Sequence, residues 1–333
     1  MVDAQKPLVT LTGITGYLGA WTCLKFLEDG GFRVRGTVRD KTNEAKLAPI
    51  REAFGAHFEN LELVEADLEN EQSLMDAVAG STYMVQMASP FFFAGGPEKI
   101  ITPAVNGTIS AMRACKAAGV RRVVITSSCA ALQFPLDEDK PADRTYDETM
   151  WTNPERPGLN DYFKSKVLAE KAAWDFQAAL PEAEKFEVST ICPAFIMGPP
   201  LRKEDSTSTG FMKRMLLGQT EKLSGEHCCL VDVRDVADAH LLAIKNDAAA
   251  NRRFILSMGS PSFQDFFTCV SVKYSGLGWP ITTTNADANP DEYISLFNNE
   301  ASKSIGVVYT ALEKTAMDMA DKMVELGSVV KPE

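Results

Sequence analysis

No apolar stretch of this chain approaches the roughly 20 residues that a membrane-spanning helix needs, so no membrane association is expected. The opening residues MVDAQKPLVT lack the hydrophobic centre of a secretory signal, and a cytoplasmic protein is expected. No run of lysines or arginines occurs, and 45 acidic residues against 34 basic ones leave a net charge of -11. Such a surface repels phosphates, so a nucleic-acid partner is not expected. The seven cysteines, at positions 23, 115, 129, 192, 228, 229 and 269, form no C-x-x-C pair and show no His/Cys spacing suited to zinc. No metal site is expected, and the thiols are expected to be reduced and buried. Internal repeats and low-complexity tracts are also lacking. Asn106-Gly107-Thr108 matches a glycosylation sequon, but without a secretion route it carries no expectation.

What is present is an alternation. The 333 residues are 45% hydrophobic and 24% charged, ordinary for a soluble globular protein and long enough for one large domain or two. LVTLT (8–12), RVRGTV (33–38), LELVEA (61–66), YMVQMA (83–88), RVVITS (122–127) and EVSTIC (187–192) read as strands. Each is nearly continuous in apolar residues, the pattern of strands buried on both faces of a parallel sheet. Helical patterns lie between them at 17–29, 72–79, 98–118 and about 160–179. The alternation predicts an α/β protein with a doubly wound parallel sheet, the Rossmann fold, over residues 1–195.

After about residue 195 the rhythm changes. IMGPPL is a turn-rich exit, followed by a helix near 210–217, a strand at 228–233, a helix at 234–246 and a strand at 252–257. From 261 onward the pattern predicts short helices and loops, then a helix at 310–327. Residues 226–260 are expected to return to the first domain. Residues 196–225 and 261–333 are expected to form a smaller, mostly helical, substrate-binding portion.

Gly13, Gly16 and Gly19 form G-x-x-G-x-x-G between the first strand and the first helix. One glycine allows the tight turn, one lets the backbone approach phosphate, and one permits close helix–strand packing. The helix N-terminus behind them offers N–H groups and a positive dipole end to a pyrophosphate. A dinucleotide site is therefore expected. Arg39 follows the second strand, where an acidic residue would select NAD and a guanidinium suits a 2′-phosphate. Lys41 and Lys46 add positive charge, while Asp40 is positioned to compete for the ribose. NADP is favoured. Asp67 and Leu68, after the third strand, are expected near the adenine, with a helix N-cap as the other role open to Asp67.

Tyr162 has a lysine four residues on, Lys166, in a helical stretch that puts both on one face. A neighbouring ammonium is expected to lower the phenol pKa and make Tyr162 a proton donor. Ser128 ends the strand VVITSS, whose carboxyl end faces the ligand crevice of such a sheet. Its hydroxyl is expected to hold a substrate oxygen, although Ser127 and Ser128 would also suit capping of strand-end backbone groups.

These residues resemble the extended short-chain dehydrogenase/reductase family. The resemblance rests on TGITGYLG (12–19), ADL (66–68), ASP (88–90), PAVNGT (103–108), TSSCAA (126–131), YFKSK (162–166), CPAFIMGPPL (192–201) and VDVRDVADAH (231–240). Within the family the chain is similar to dihydroflavonol 4-reductases, cinnamoyl-CoA reductases, anthocyanidin reductases and fungal aldehyde and ketone reductases. The resemblance implies a triad in which Tyr162 is the general acid, Ser128 orients a carbonyl, and Lys166 holds the nicotinamide ribose. It implies that Arg39 and Lys46 flank the 2′-phosphate, and that Thr15, Tyr17 and Leu18 give backbone contacts to the pyrophosphate. Met87, Ala88 and Ser89 would line the adenosine side. Thr126, and Pro193 with Ala194 and Ile196, complete the implied cofactor set.

Three departures from the family pattern matter. Gln86 stands where many members have histidine, and Gln133 stands where dihydroflavonol 4-reductases hold the flavonoid with asparagine. LNDYFKSK lacks the tryptophan- and cysteine-bearing motif of cinnamoyl-CoA reductases. Neither specificity is therefore implied. Phe91, with Phe92 and Phe93, is expected either to wall the substrate site or to pack in the core under a loop, and Gln133 is a further candidate substrate contact. The expected activity is NADPH-dependent reduction of an aldehyde or ketone. The alternatives are a sugar-nucleotide epimerase or dehydratase on the same fold, and a non-catalytic NADPH-binding regulator. No exposed apolar helix pattern demands a dimer, so the oligomeric state is left open.

Overall fold

The computed structural model describes residues 6–89, 96–223, 228–284 and 296–332. Seven parallel strands form the central sheet: β1 (Leu8–Leu11), β2 (Arg33–Val38), β3 (Leu61–Glu65), β4 (Tyr83–Gln86), β5 (Arg122–Thr126), β7 (Glu187–Pro193) and β10 (Arg252–Leu256). Their spatial order is β10-β7-β5-β4-β1-β2-β3. The order reverses between β1 and β4, and this switch point is where an open α/β sheet binds ligands, outside its carboxyl edge. β1 is buried throughout and β7 nearly so, which is why both read as unbroken apolar runs.

Helices cover both faces. α1 (Tyr17–Asp29) and α7 (Val233–Lys245) pack together on one side. α3 (Glu71–Val78), α4 (Pro97–Ala118) and α5 (Asp161–Ala179) pack side by side on the other. α1 stops at Gly30, whose left-handed φ of 67° a glycine accepts without strain.

A second apolar cluster lies beyond the sheet. It joins α6 (Thr207–Leu216), α8 (Phe263–Gly276) and α10 (Leu312–Glu325) through Met212, Met215, Phe266, Phe267, Val270, Met319 and Met323. Two small parallel pairs complete the chain. β8 (Phe195–Met197) pairs with β9 (Leu230–Asp232), and β6 (Thr145–Tyr146) pairs with β11 (Leu296–Phe297). α9 (Glu300–Ser304) follows β11. Among the described residues no helix is long and apolar enough to cross a membrane.

Several elements differ from the sequence expectation. The strands expected to run to residues 88 and 127 leave the sheet at Gln86 and Thr126, which frees the following residues for the ligand edge. α2 (Glu44–Phe54) was not expected; Pro49 interrupts its pattern, and Asn43 starts it by accepting from the Lys46 N–H. α8 spans 14 residues where short helices and loops were expected. Its three phenylalanines obscure helical periodicity, while Ser262 and Asp265 form a capping box at its start. β8 lies within the segment expected to be only a turn-rich exit, because its partner β9 is far away in sequence.

Candidate active site

The glycine loop is set by close approaches of backbone. Gly13 adopts φ +71°, and a Cβ on it would lie 3.2 Å from Ala88. A Cβ on Gly19 would sit 2.1 Å from the Gly13 carbonyl oxygen, so only glycine fits there. Gly16 caps α1 from an extended conformation, no side chain caps that end, and the first turn carries no acidic residue. The first N–H groups of α1, at Tyr17, Leu18 and Gly19, thus face the carboxyl edge without a side-chain competitor. The Tyr17 side chain is engaged elsewhere, its phenol donating to the Gly198 carbonyl at 2.6 Å.

Thr12 joins this loop to the end of β4. Its hydroxyl accepts from the N–H groups of Met87 and Ala88 and donates to Gln86 Oε1 at 3.0 Å. Gln86 Nε2 in turn donates to the Ala88 carbonyl at 2.8 Å. Gln86 is therefore a buried brace rather than a ligand contact, which accounts for the departure noted at that position. Sequence reasoning named Gln86 but missed Thr12, whose partners lie about 75 residues away.

At the far edge, Arg39 and Lys46 are exposed and make no ion pair among the described residues. Asp40 does not compete with them. Its carboxylate accepts from the Thr42 N–H at 2.8 Å and hydroxyl at 2.6 Å, and these bonds hold its pKa below the usual value. Asp67 is exposed and accepts from the Glu69 N–H; the cap of α3 is Asn70, so the capping role open to Asp67 falls to another residue. Leu68 packs where a Cβ on Gly107 would meet it at 3.2 Å, beside a cavity of about 560 Å³.

The second cluster stands where β5 ends and α5 begins. Ser128 accepts from the Ala130 N–H at 3.1 Å, and its hydroxyl stands near enough to the Tyr162 phenol to lower that phenol's pKa. Lys166, 9% exposed, places Nζ 5.7 Å from the Tyr162 ring centre and 3.4 Å from Ser89 Oγ, to which it donates. Burial lowers the Lys166 pKa to about 8. Burial also raises the Tyr162 pKa, and the Ser128 hydroxyl opposes that rise. Burial is the largest influence on the Tyr162 phenol, so its pKa lies above the ordinary value rather than below it.

The remaining expected residues divide. Pro193 ends β7, and Ala194 donates to the Leu256 carbonyl, both at the carboxyl edge beside β5. Ile196 belongs to β8, and its carbonyl accepts from the Ser208 hydroxyl. The Thr126 hydroxyl is committed to His240 Nε2 at 2.8 Å, under the α7 face of the sheet. The His240 Nδ1 donates to the Val236 carbonyl, and burial lowers the ring pKa to about 4, so the imidazole is neutral. Gln133 is half-buried next to Phe134, which meets Phe163 edge to face, as Phe163 in turn meets Tyr162. Phe91, Phe92 and Phe93 lie outside the described residues.

One cation was not anticipated. Arg202, from the segment after β8, donates Nη2 to the Thr15 carbonyl of the glycine loop and pairs with Glu204 at 3.1 Å. Its buried Nε has no partner among the described residues. A lone arginine after GPPL carries no sequence signal, because its target lies 187 residues upstream.

Tetraketide alpha-pyrone reductase 1 of Arabidopsis thaliana is 32% identical over 98% of both chains. Dihydroflavonol 4-reductase of Zea mays is 36% identical over 75% of this chain and 70% of its own. The crystal structure of Gre2 in complex with NADPH, from Candida albicans, superposes with a TM-score of 0.80 at 28% identity, covering 96% of this chain and 99% of that one. The profile of the NAD dependent epimerase/dehydratase family matches residues 9–257, and the chain belongs to that family.

Proposed function

We propose that this protein is an NADPH-dependent reductase of an aldehyde or ketone, with Tyr162 as proton donor. The observation that carries the proposal is the gathering of Ser128, Tyr162 and Lys166 where β5 ends and α5 begins, with the Lys166 Nζ 5.7 Å from the Tyr162 ring centre. The residues at the carboxyl edge suit a phosphorylated dinucleotide. Gly13 and Gly19 form a cradle that a Cβ would fill, α1 has no side-chain cap, and the buried Arg202 Nε beside the loop lacks a partner among the described residues. Thr15, Tyr17, Leu18 and Gly19 would hold the pyrophosphate through backbone. Arg39 and Lys46 would hold the 2′-phosphate as charge-assisted partners. Leu68 and Met87 would line the adenosine, and Lys166 would hold the nicotinamide ribose. Bound there, the nicotinamide supplies a hydride to the carbonyl carbon.

The rest of the chemistry belongs to the chain. Ser128 donates to the carbonyl oxygen and fixes its direction. Tyr162 gives its proton to that oxygen as negative charge develops. The raised phenol pKa keeps Tyr162 protonated at neutral pH, as a donor must be. Lys166, charged below pH about 8, stabilises the phenolate left behind. Reduction should therefore decline as pH rises through that value. The relatives named above are reductases or an NADPH complex, which supports both cofactor and reaction class.

The test is turnover of NADPH with a panel of aldehydes and ketones, run beside NADH. Tyr162→Phe should lose about 10²–10⁴-fold in turnover. Its NADPH affinity should stay within about twofold of the parent's, since a phenol contributes one hydrogen bond at most. Full activity in that variant rejects the mechanism.

A further inference from the structure

Beneath the reacting pair lies a buried charge pair that the proposed mechanism does not use. Glu170 follows Lys166 by one turn on α5 and is 2% exposed. Its carboxylate accepts from Arg253 Nε at 2.7 Å and Nη2 at 3.2 Å, from the Thr190 hydroxyl at 2.8 Å, and from Trp174 Nε1 at 3.3 Å. It also accepts from the Ser127 hydroxyl at 2.5 Å. Ser127 is the residue before Ser128.

Arg253 reaches the same segment from its other end. It lies on β10, with its guanidinium 3.7 Å from the Trp151 ring centre. Nη1 donates to the carbonyls of Glu148 at 2.7 Å and Met150 at 2.6 Å. Just beyond, the Thr152 N–H donates to the Ala131 carbonyl and its hydroxyl to the Ala130 carbonyl. The Phe134 N–H donates to the Thr152 hydroxyl, and the Asn153 N–H to the Phe134 carbonyl. The backbone that carries Ser128 is thus gripped at Ser127 through Glu170 and at 130–134 through the 148–153 segment that Arg253 holds.

We propose that the Glu170–Arg253 pair is a positioning clamp: by fixing both ends of residues 127–134 it holds Ser128 in register with Tyr162. Neither residue touches the reacting groups, so both act through Ser128. A buried ion pair is a poor source of net stability, because desolvation offsets much of the attraction. It is a good source of geometry, since each partner accepts or donates in fixed directions. An apolar pair of the same volume would fill the space but leave the Ser127 hydroxyl and the carbonyls of Glu148 and Met150 without partners.

The inference rests on Ser128 and Tyr162 being the reacting pair, so its test has a readout that needs no turnover. The Tyr162 phenol is titrated by phenolate ultraviolet absorbance, taken as the difference from the same protein carrying Tyr162→Phe. Ser127→Ala removes only the hydroxyl that Glu170 holds, and Glu170→Gln removes the charge while keeping the shape. Both should shift the Tyr162 titration upward, because the Ser128 hydroxyl that favours phenolate is loosened. Turnover should fall about tenfold in Glu170→Gln and several-fold in Ser127→Ala, with KM and NADPH affinity within about twofold; a tenfold loss corresponds to about 1.4 kcal/mol. If Glu170→Gln does not fold, Ser127→Ala at parental melting temperature decides alone. An unshifted Tyr162 titration in folded Ser127→Ala overturns the clamp. A shifted titration in a protein whose parent reduces no carbonyl upholds the clamp and rejects the reductase proposal instead.

Discussion

The two halves of the central sheet share an apolar core, in which Leu11 and Ile14 lie with Val124, Ile191 and Phe254, and differ in the charges buried against it. The half holding β1, β2 and β3 carries the glycine loop and is packed by apolar side chains: Leu11, Ile14, Phe26, Val34, Ile50 and Phe54 are buried in one cluster. The half holding β5, β7 and β10 carries Ser128 and is tied by buried charges. Arg122 pairs with Glu187 at 2.6 Å, and Arg253 pairs with Glu170 at 2.7 Å. Apolar contact has no preferred direction, which suffices where the ligand is to be held by backbone. Ion pairs and hydrogen bonds are directional, which suits a place where one hydroxyl must point at one phenol. The comparison predicts that damage to the first half appears in cofactor binding and damage to the second appears in turnover.

The largest effect expected in the first half is at Gly19. Its α-hydrogen faces the Gly13 carbonyl, and a methyl there would stand 2.1 Å from that oxygen. Gly19→Ala must push the loop off the start of α1. Overpacking of this kind costs about 1–3 kcal/mol, and all of it falls on the pyrophosphate site. NADPH affinity should weaken by up to about 100-fold, measured by quenching or calorimetry. The Tyr162 titration should not move. A shift in that titration would break the comparison, because it would mean that the two halves are coupled through the sheet.

A smaller effect is expected at Arg39. It is exposed, Asp40 is turned into its own hydrogen bonds with Thr42, and no carboxylate among the described residues pairs with it. A charge-assisted contact of this kind contributes about 1.5–3 kcal/mol. Arg39→Ala should reduce the preference for NADPH over NADH by roughly tenfold or more, with NADH turnover little changed. An unchanged preference would remove the 2′-phosphate assignment while leaving the glycine loop untouched.

The parts legible in sequence are those whose partners are near in the chain. Gly13, Gly16 and Gly19 are three apart, and Tyr162 and Lys166 are four apart, so local periodicity places each set on one surface. Ser128 was legible because it lies just past the end of an apolar strand. The clamp was not, since Glu170 and Arg253 are 83 residues apart and each looks like an ordinary charge on an amphipathic element. The same holds for Thr12 with Gln86, and for Arg202 with Thr15, 187 residues away. α8 was obscured for a different reason. Its phenylalanines at 263, 266 and 267 face two partners, so the stripe that marks a one-sided helix is widened. The burial of Tyr162 was not legible, because spacing shows a neighbour's charge but not the desolvation that raises the phenol pKa.

The smallest effect sharpens the comparison by separating turnover from stability within the second half. Lys166 is buried, and its pKa in the folded chain is lowered to about 8 from 10.5. Between those values the unfolded chain binds the proton that the folded chain has released, so stability rises with pH across that window. Below pH 8 both states hold the proton, and the folded protein carries the whole cost of burying it. At 1.36 kcal/mol per unit, that cost is on the order of 3 kcal/mol at most. Lys166→Met keeps the apolar stem and removes the charge. The variant should therefore melt higher than the parent at pH 7, by roughly 1–3 kcal/mol of stability in the cofactor-free state. The advantage should shrink as pH approaches 10, while turnover is lost at every pH. A variant that melts lower than the parent at pH 7 would show that Lys166 stabilises the apo fold, and the contrast between a half built for holding and a half built for reacting would no longer stand at this residue.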